Sequence, residues 1–67
     1  MVHNRVRLKR AEYNLTQTEL GNKVAVTRQT IAFIEKGEFT PSVGLALKLA
    51  VALNTPIQEL FWLEKEE

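Results

Sequence analysis

The sequence contains no cysteine and a single histidine among its 67 residues. Without cysteine there is no disulfide staple and no thiolate metal site. A lone His3 beside the N-terminus offers neither a ligand cluster nor a catalytic pair. No apolar run approaches the ~20 residues that span a bilayer. The basic start MVHNRVRLKR is not followed by an apolar stretch, so no signal peptide is expected. There is no glycine-rich phosphate loop, and the carboxylates are scattered along the chain. These absences argue against an enzyme, against a cofactor or metal, and against a membrane partner. They leave a single domain over residues 1–67, expected in the cytoplasm, with a core that is marginal at this length.

Charge is unevenly placed. The whole chain carries a formal net charge of +1. Residues 1–36 hold seven Lys and Arg against three Glu, a balance of +4, whereas residues 37–67 hold two against five, a balance of −3. A basic half beside an acidic half is the footprint of a face for an anionic partner, and equally of a solvated surface with chance asymmetry.

Two prolines and three glycines punctuate a sequence that otherwise reads as helix. A first helix is expected from about Asn4 to Asn14, with Val6, Leu8, Ala11 and Tyr13 as a fair apolar stripe and Asn14 as its stop. A second runs over about residues 17–24. It opens on Thr16-Gln17-Thr18-Glu19, a threonine cap with an acid three positions on. A third runs over about residues 28–35, capped by Thr27 and closed by Gly37, with Ile31 and Ile34 inward. A fourth follows Pro41-Ser42. It is apolar nearly all round, which predicts a central place in the bundle. Thr55-Pro56-Ile57-Gln58 predicts a short fifth helix with Thr55 as cap. Glu64 to Glu67 are expected to fray. The fold class is all-α, a compact five-helix bundle. A pairing of Met1-Val2-His3 with Phe61-Trp62-Leu63 as short strands is left open.

Helices two and three carry the functional signal. Ala25, Val26 and the cap Thr27 are all that separate them, a connection that sets two helices at a steep angle. The second of the pair begins Arg28-Gln29-Thr30. Arginine can bridge guanine O6 and N7, and glutamine adenine N6 and N7. Thr27 and Thr30 can bond phosphates or meet a thymine methyl. The first turn is the part of a recognition helix that enters the major groove. Phe33 lies one turn on, opposite the inward isoleucines, where it could touch a thymine methyl.

The stretches Leu15-Thr16-Gln17-Thr18-Glu19-Leu20, Val24-Ala25-Val26-Thr27-Arg28-Gln29-Thr30-Ile31 and Ile34-Glu35-Lys36-Gly37 resemble the Cro/C1-type (XRE) helix-turn-helix family. The likeness continues through Pro41-Ser42-Val43 and Leu45 to Ala50, then Pro56 to Phe61, and so covers nearly the whole chain. It implies a lambda-repressor-like five-helix domain that binds operator DNA as a dimer. By the same resemblance, Gln17 bonds a phosphate and braces helix three. Thr27, Arg28, Gln29 and Thr30 face bases and nearby phosphates, and Phe33 touches a base. Lys36 and the loop Phe39-Thr40 track the backbone. Arg10 and Glu35 form a structural ion pair.

The chain departs from the family pattern in four places. Ala25 stands where glycine is usual, at a cost of roughly 1 kcal/mol if φ is positive there. Gly21 stands where alanine is usual, which weakens the helix by up to about 1 kcal/mol while letting helix three approach. Gly44 weakens the start of helix four. Lys9 replaces a large apolar residue, its stem able to cover the core and its ammonium to reach a phosphate.

The expected function is a dimeric, sequence-specific repressor on a pseudo-palindromic operator. Phe61, Trp62 and Leu63 are more large apolar surface than so small an interior takes in, so part of it is assigned to a symmetric homodimer contact. Two rivals remain at this point. One is an antitoxin-like module that binds a partner protein and autoregulates. The other is a protein adaptor that keeps the fold without DNA binding.

Overall fold

The computed structural model describes residues 2–64. Met1 and residues 65–67, on which part of the expected strand and most of the expected fraying fall, lie outside them. In chain order the elements are β1 (Val2–Asn4), α1 (Val6–Glu12), α2 (Gln17–Val24), α3 (Arg28–Glu35), α4 (Val43–Ala52), α5 (Ile57–Leu60) and β2 (Phe61–Leu63). The two strands pair antiparallel, with Val2 opposite Leu63, His3 opposite Trp62 and Asn4 opposite Phe61.

Hydroxyl caps start three of the helices. The Thr16 side chain accepts from the Glu19 amide while the Glu19 carboxylate accepts from the Thr16 amide, closing a full capping box. Thr27 and Ser42 cap α3 and α4 with the hydroxyl alone, accepting from the Thr30 and Leu45 amides. Left-handed residues end four of them: Asn14 at φ 55°, Ala25 at 62°, Gly37 at 77° and Asn54 at 48°. At Asn14, Gly37 and Asn54 the next amide reaches back to a carbonyl five residues earlier, satisfying the helix's last acceptors.

The core is one cluster built from every helix. Val6, Leu20, Val24, Ile31, Ile34, Leu49, Ala50, Leu53 and Leu60 are buried together. Helix α2 is the hub, packed on α3 to one side and α4 to the other, while α1 rests on α3 and α5 on α4.

Four expectations need correction. Helix one starts two residues later than expected, because Asn4 belongs to β1. Its Oδ1 accepts from the Val6 amide at 3.1 Å and its Nδ2 donates to the Ile34 carbonyl at 2.9 Å. In that helix only Val6 is buried, with Leu8 55% and Tyr13 48% exposed. Thr55 does not cap α5: it is buried, and its hydroxyl donates to the Leu53 carbonyl at 2.8 Å. Pro56 takes the cap position without a side-chain bond. Finally, α4 is not central. Ala46, Leu49 and Ala50 face the core, while Val43, Leu47 and Val51 lie on its outer side, exposed.

Gly21 is required by close approach. A Cβ there would stand 2.7 Å from the Val26 carbonyl oxygen, inside contact distance. The turn from α2 to α3 folds back over this residue, and the Val26 amide donates to the Gly21 carbonyl at 2.9 Å. Gly44 meets nothing within 4 Å, so no packing reason holds it.

Candidate nucleic-acid interface

Ala25 in the left-handed region turns the chain sharply between α2 and α3. Val26 and the extended Thr27 follow, and the Thr27 cap fixes where α3 begins. Thr27 Oγ1 accepts from the Thr30 amide at 3.2 Å and lies 3.1 Å from Thr30 Oγ1. Both hydroxyls are thus positioned by the same first turn. Ile31 and Ile34 are buried at 0% exposure and fix the roll of the helix. That roll leaves Thr27, Arg28 and Gln29 exposed, Thr30 half-buried, and Phe33 38% exposed.

A hydrogen-bonded chain links this turn to the body of the domain. Arg10 Nη1 donates to the Leu15 carbonyl at 2.8 Å. Arg10 Nε and Nη2 donate to the two Glu35 carboxylate oxygens at 2.6 and 3.2 Å, a two-pronged ion pair. Gln17 Nε2 donates to Glu35 Oε1 at 3.1 Å, and its own Oε1 accepts from Arg28 Nη1 at 3.3 Å. Glu35 is 5% exposed and Arg10 16%, so the pair is shielded from water and screened little. The network orients Gln17 and leads to Arg28. The Arg10–Glu35 pair is the one expected from the family resemblance; the step from Gln17 on to Arg28 escapes an element-by-element reading, because its side-chain bonds join residues 11 and 18 positions apart.

Lys36 ends α3 and is exposed, as is Thr40 in the loop before α4. A shallow polar hollow between α1 and α3 is lined by Arg7, Arg10, Gln17, Ala32, Glu35 and Lys36. It brings the cations Arg7 and Lys36 beside Gln17, a setting suited to an anionic oxygen. Arg7 is absent from the expected contacts. Its signal is the i, i+3 spacing from Arg10, which puts both on one helix face. Lys9 instead places its ammonium 3.6 Å from Glu12. At the α2 cap, the backbone hydrogen bond from Thr16 and then its hydroxyl hold the Glu19 carboxyl below the usual carboxylate range, with Lys23 adding to the effect.

The terminal ribbon sits elsewhere. Phe61 packs against the core cluster. Trp62 is half-buried, with the Arg5 guanidinium 4.6 Å above its ring and His3 stacked 6.0 Å away. His3 Nε2 also approaches the Glu64 carboxylate at 3.6 Å. Leu63 is 72% exposed.

The helix-turn-helix family profile matches residues 6–60. The chain belongs to the Cro/C1-type (XRE) helix-turn-helix family. The HTH-type transcriptional regulator YgzD of Bacillus subtilis is 48% identical over 63 residues, spanning 94% of this chain and 96% of the relative. An HTH-type transcriptional regulator of Archaeoglobus fulgidus is 47% identical over 66 residues, spanning 98% and 94%. Among solved structures, the restriction-modification controller protein C.AhdI from Aeromonas hydrophila superposes with a TM-score of 0.76 at 31% identity, over 82% of this chain and 83% of that one. Within this family the chain is a DNA-binding transcriptional regulator and not an enzyme. The matched stretch runs from α1 to α5 and so takes in the α2–α3 pair. No helix of the described residues is long and apolar enough to cross a membrane.

Proposed function

We propose that the protein is a homodimeric repressor that binds a pseudo-palindromic operator and acts in the cytoplasm. Two α3 helices enter successive major grooves about 34 Å apart. Arg28 and Gln29 read base edges, and Phe33 meets a thymine methyl. Gln17, Thr27, Thr30, Lys36 and Thr40 set the register on phosphates, which fix position without reading sequence. Repression follows from occupying the promoter.

The observation that carries this reading is the first turn of α3. It holds a bidentate-capable arginine and glutamine outward, on a helix whose start is fixed by Thr27 and whose arginine is tied through Gln17 to Glu35. Base readout needs donors in fixed places, and Arg28 is such a donor, with Gln29 exposed beside it on the same turn. A mobile pair on a solvated surface would confer little specificity. The likeness to a restriction-modification controller protein supports a regulatory role for a chain of this size.

The test is binding to the DNA upstream of the protein's own gene and to random DNA over a salt series. One two-fold symmetric footprint, a preference of at least about a thousandfold over random DNA and a steep salt slope are expected. Equal, weak binding to both would overturn operator recognition at that site. Co-purification with a small toxic partner would favour an antitoxin instead.

A further inference from the structure

We propose that Arg7 of α1 is a further DNA-positioning residue: with Lys36 it makes the hollow between α1 and α3 a cradle for one phosphodiester of the duplex. The inference rests on the DNA-binding reading above and carries it to a helix outside the α2–α3 pair. The hollow holds about 220 Å³ and is lined by Arg7, Arg10, Gln17, Ala32, Glu35 and Lys36.

Charge is the first reason. The walls carry three cations and one carboxylate, a surplus of two positive charges. Arg10 is already committed: Nε and Nη2 donate to Glu35 and Nη1 to the Leu15 carbonyl, and the same pair neutralises Glu35. The surplus therefore belongs to Arg7 and Lys36, both exposed. Two like charges converging on a concavity repel each other and focus positive potential there, and an anion relieves the repulsion.

The basic start of the chain singles out the same residue. Of its four cations, Arg5 lies 4.6 Å above the Trp62 ring and donates to the Glu59 carbonyl. Lys9 is 3.6 Å from Glu12, and Arg10 is held by Glu35. Among the described residues, Arg7 alone of the four has no such partner. Gln17 adds a neutral donor on the same wall. Its amide nitrogen carries two hydrogens, of which Glu35 Oε1 takes one.

Placement decides for a backbone phosphate over a free small anion. Ala32 on the hollow's wall is at i+4 from Arg28 and i+3 from Gln29, so the hollow borders the side of α3 that carries both. A helix seated in a major groove about 12 Å wide has a phosphate backbone along each flank. A cation-lined hollow beside that helix meets such a phosphate without reaching a base, so it adds affinity and register and no sequence preference.

The experiment measures binding to operator and random duplexes over a salt series for the wild type, Arg7→Gln, Lys36→Gln and Lys48→Gln, with thermal melts of each. Lys48 is an exposed cation of α4 outside the hollow, so its variant controls for net charge. Arg7→Gln is expected to melt like the wild type and to bind both duplexes at least about threefold more weakly near 0.1 M salt. The slope of log K against log salt should shrink by about 0.9 for each protomer bound. Lys48→Gln should keep the wild-type slope. A scan of single methylphosphonate linkages through the operator then locates the phosphate. One neutral linkage per half-site should weaken the wild type and cost Arg7→Gln and Lys36→Gln little. A full wild-type slope for Arg7→Gln would overturn the cradle while leaving DNA binding standing, as would loss of sensitivity at different linkages for the two variants. Inorganic phosphate bound by the wild type and not by Arg7→Gln, with DNA binding of the two alike, would give the hollow to a small anion and overturn the proposal. A wild type that binds neither duplex would overturn the DNA-binding reading itself.

Discussion

Helix α3 opens on Thr27, whose hydroxyl accepts from the Thr30 amide at 3.2 Å, and α4 opens on Ser42, whose hydroxyl accepts from the Leu45 amide at the same 3.2 Å. Each helix buries a short apolar stripe in one shared core. Their outer faces differ completely. That of α3 carries Arg28, Gln29 and Thr30, with the arginine hydrogen-bonded to Gln17. That of α4 carries Val43, Leu47 and Val51, with no polar partner to anchor it. The inner faces follow from the fold, which leaves the outer faces free to differ. The difference between α3 and α4 is one of outer chemistry, hydrogen-bonding side chains on α3 and exposed aliphatic ones on α4.

The sharpest way to break this comparison is to cut the network beneath α3. Glu35→Ala leaves Arg10 shielded and without its carboxylate, and frees Gln17. A loss of about 2–3 kcal/mol is expected in urea denaturation, with weaker operator binding even where the protein stays folded. An unchanged midpoint would show that the ion pair is not holding α1 to α3. Next come the caps. Thr27→Ala and Ser42→Ala are each expected to cost about 1 kcal/mol. Only Thr27→Ala should also weaken DNA binding beyond its stability loss. Equal effects of the two on binding would erase the functional distinction between the helices.

The α2–α3 turn gives a smaller, paired effect. Ala25→Gly relieves a left-handed alanine and is expected to stabilise by about 0.5–1 kcal/mol. Gly21→Ala gains helix propensity but drives a methyl against the Val26 carbonyl, so a net loss of about 1 kcal/mol is expected. A gain in thermal midpoint for Gly21→Ala would show that the turn yields easily. The smallest effect belongs to Glu19. Its lowered pKa means the capping box contributes fully above the ordinary carboxylate value. That contribution is lost as pH falls through the lowered folded value. Glu19→Gln should flatten the stability profile as pH falls below the ordinary carboxylate value of 4.5. An identical slope in the variant would remove Glu19 from the acid sensitivity.

Much of this architecture is legible in the residues because it is local. The Thr16, Thr27 and Ser42 caps, the Asn14 and Gly37 stops and the inward Ile31 and Ile34 depend on spacings of a few positions. The resemblance to the XRE family extends that to the whole bundle. What escapes is what depends on distant partners. Asn4 joins a strand because Phe61 lies opposite it, and Thr55 turns its hydroxyl inward to Leu53 instead of capping α5. Helix α4 is the instructive case. Apolar positions all round it fit a central helix and a surface helix with an apolar outer face equally well, and only the packing of α2 and α5 on one side distinguishes them. The bridge from Glu35 through Gln17 to Arg28 likewise exists only once α2 and α3 are folded together.

The central claim is that the first turn of α3 reads bases. It is tested most directly by selecting preferred sequences from a random DNA pool with the wild type and with Arg28→Ala. The wild type should return a two-fold symmetric site. Arg28→Ala should lose preference at one base pair in each half-site, bind the original site about 1–3 kcal/mol more weakly, and keep its affinity for random DNA. The same consensus from both proteins, or equal loss on selected and random DNA, would contradict it.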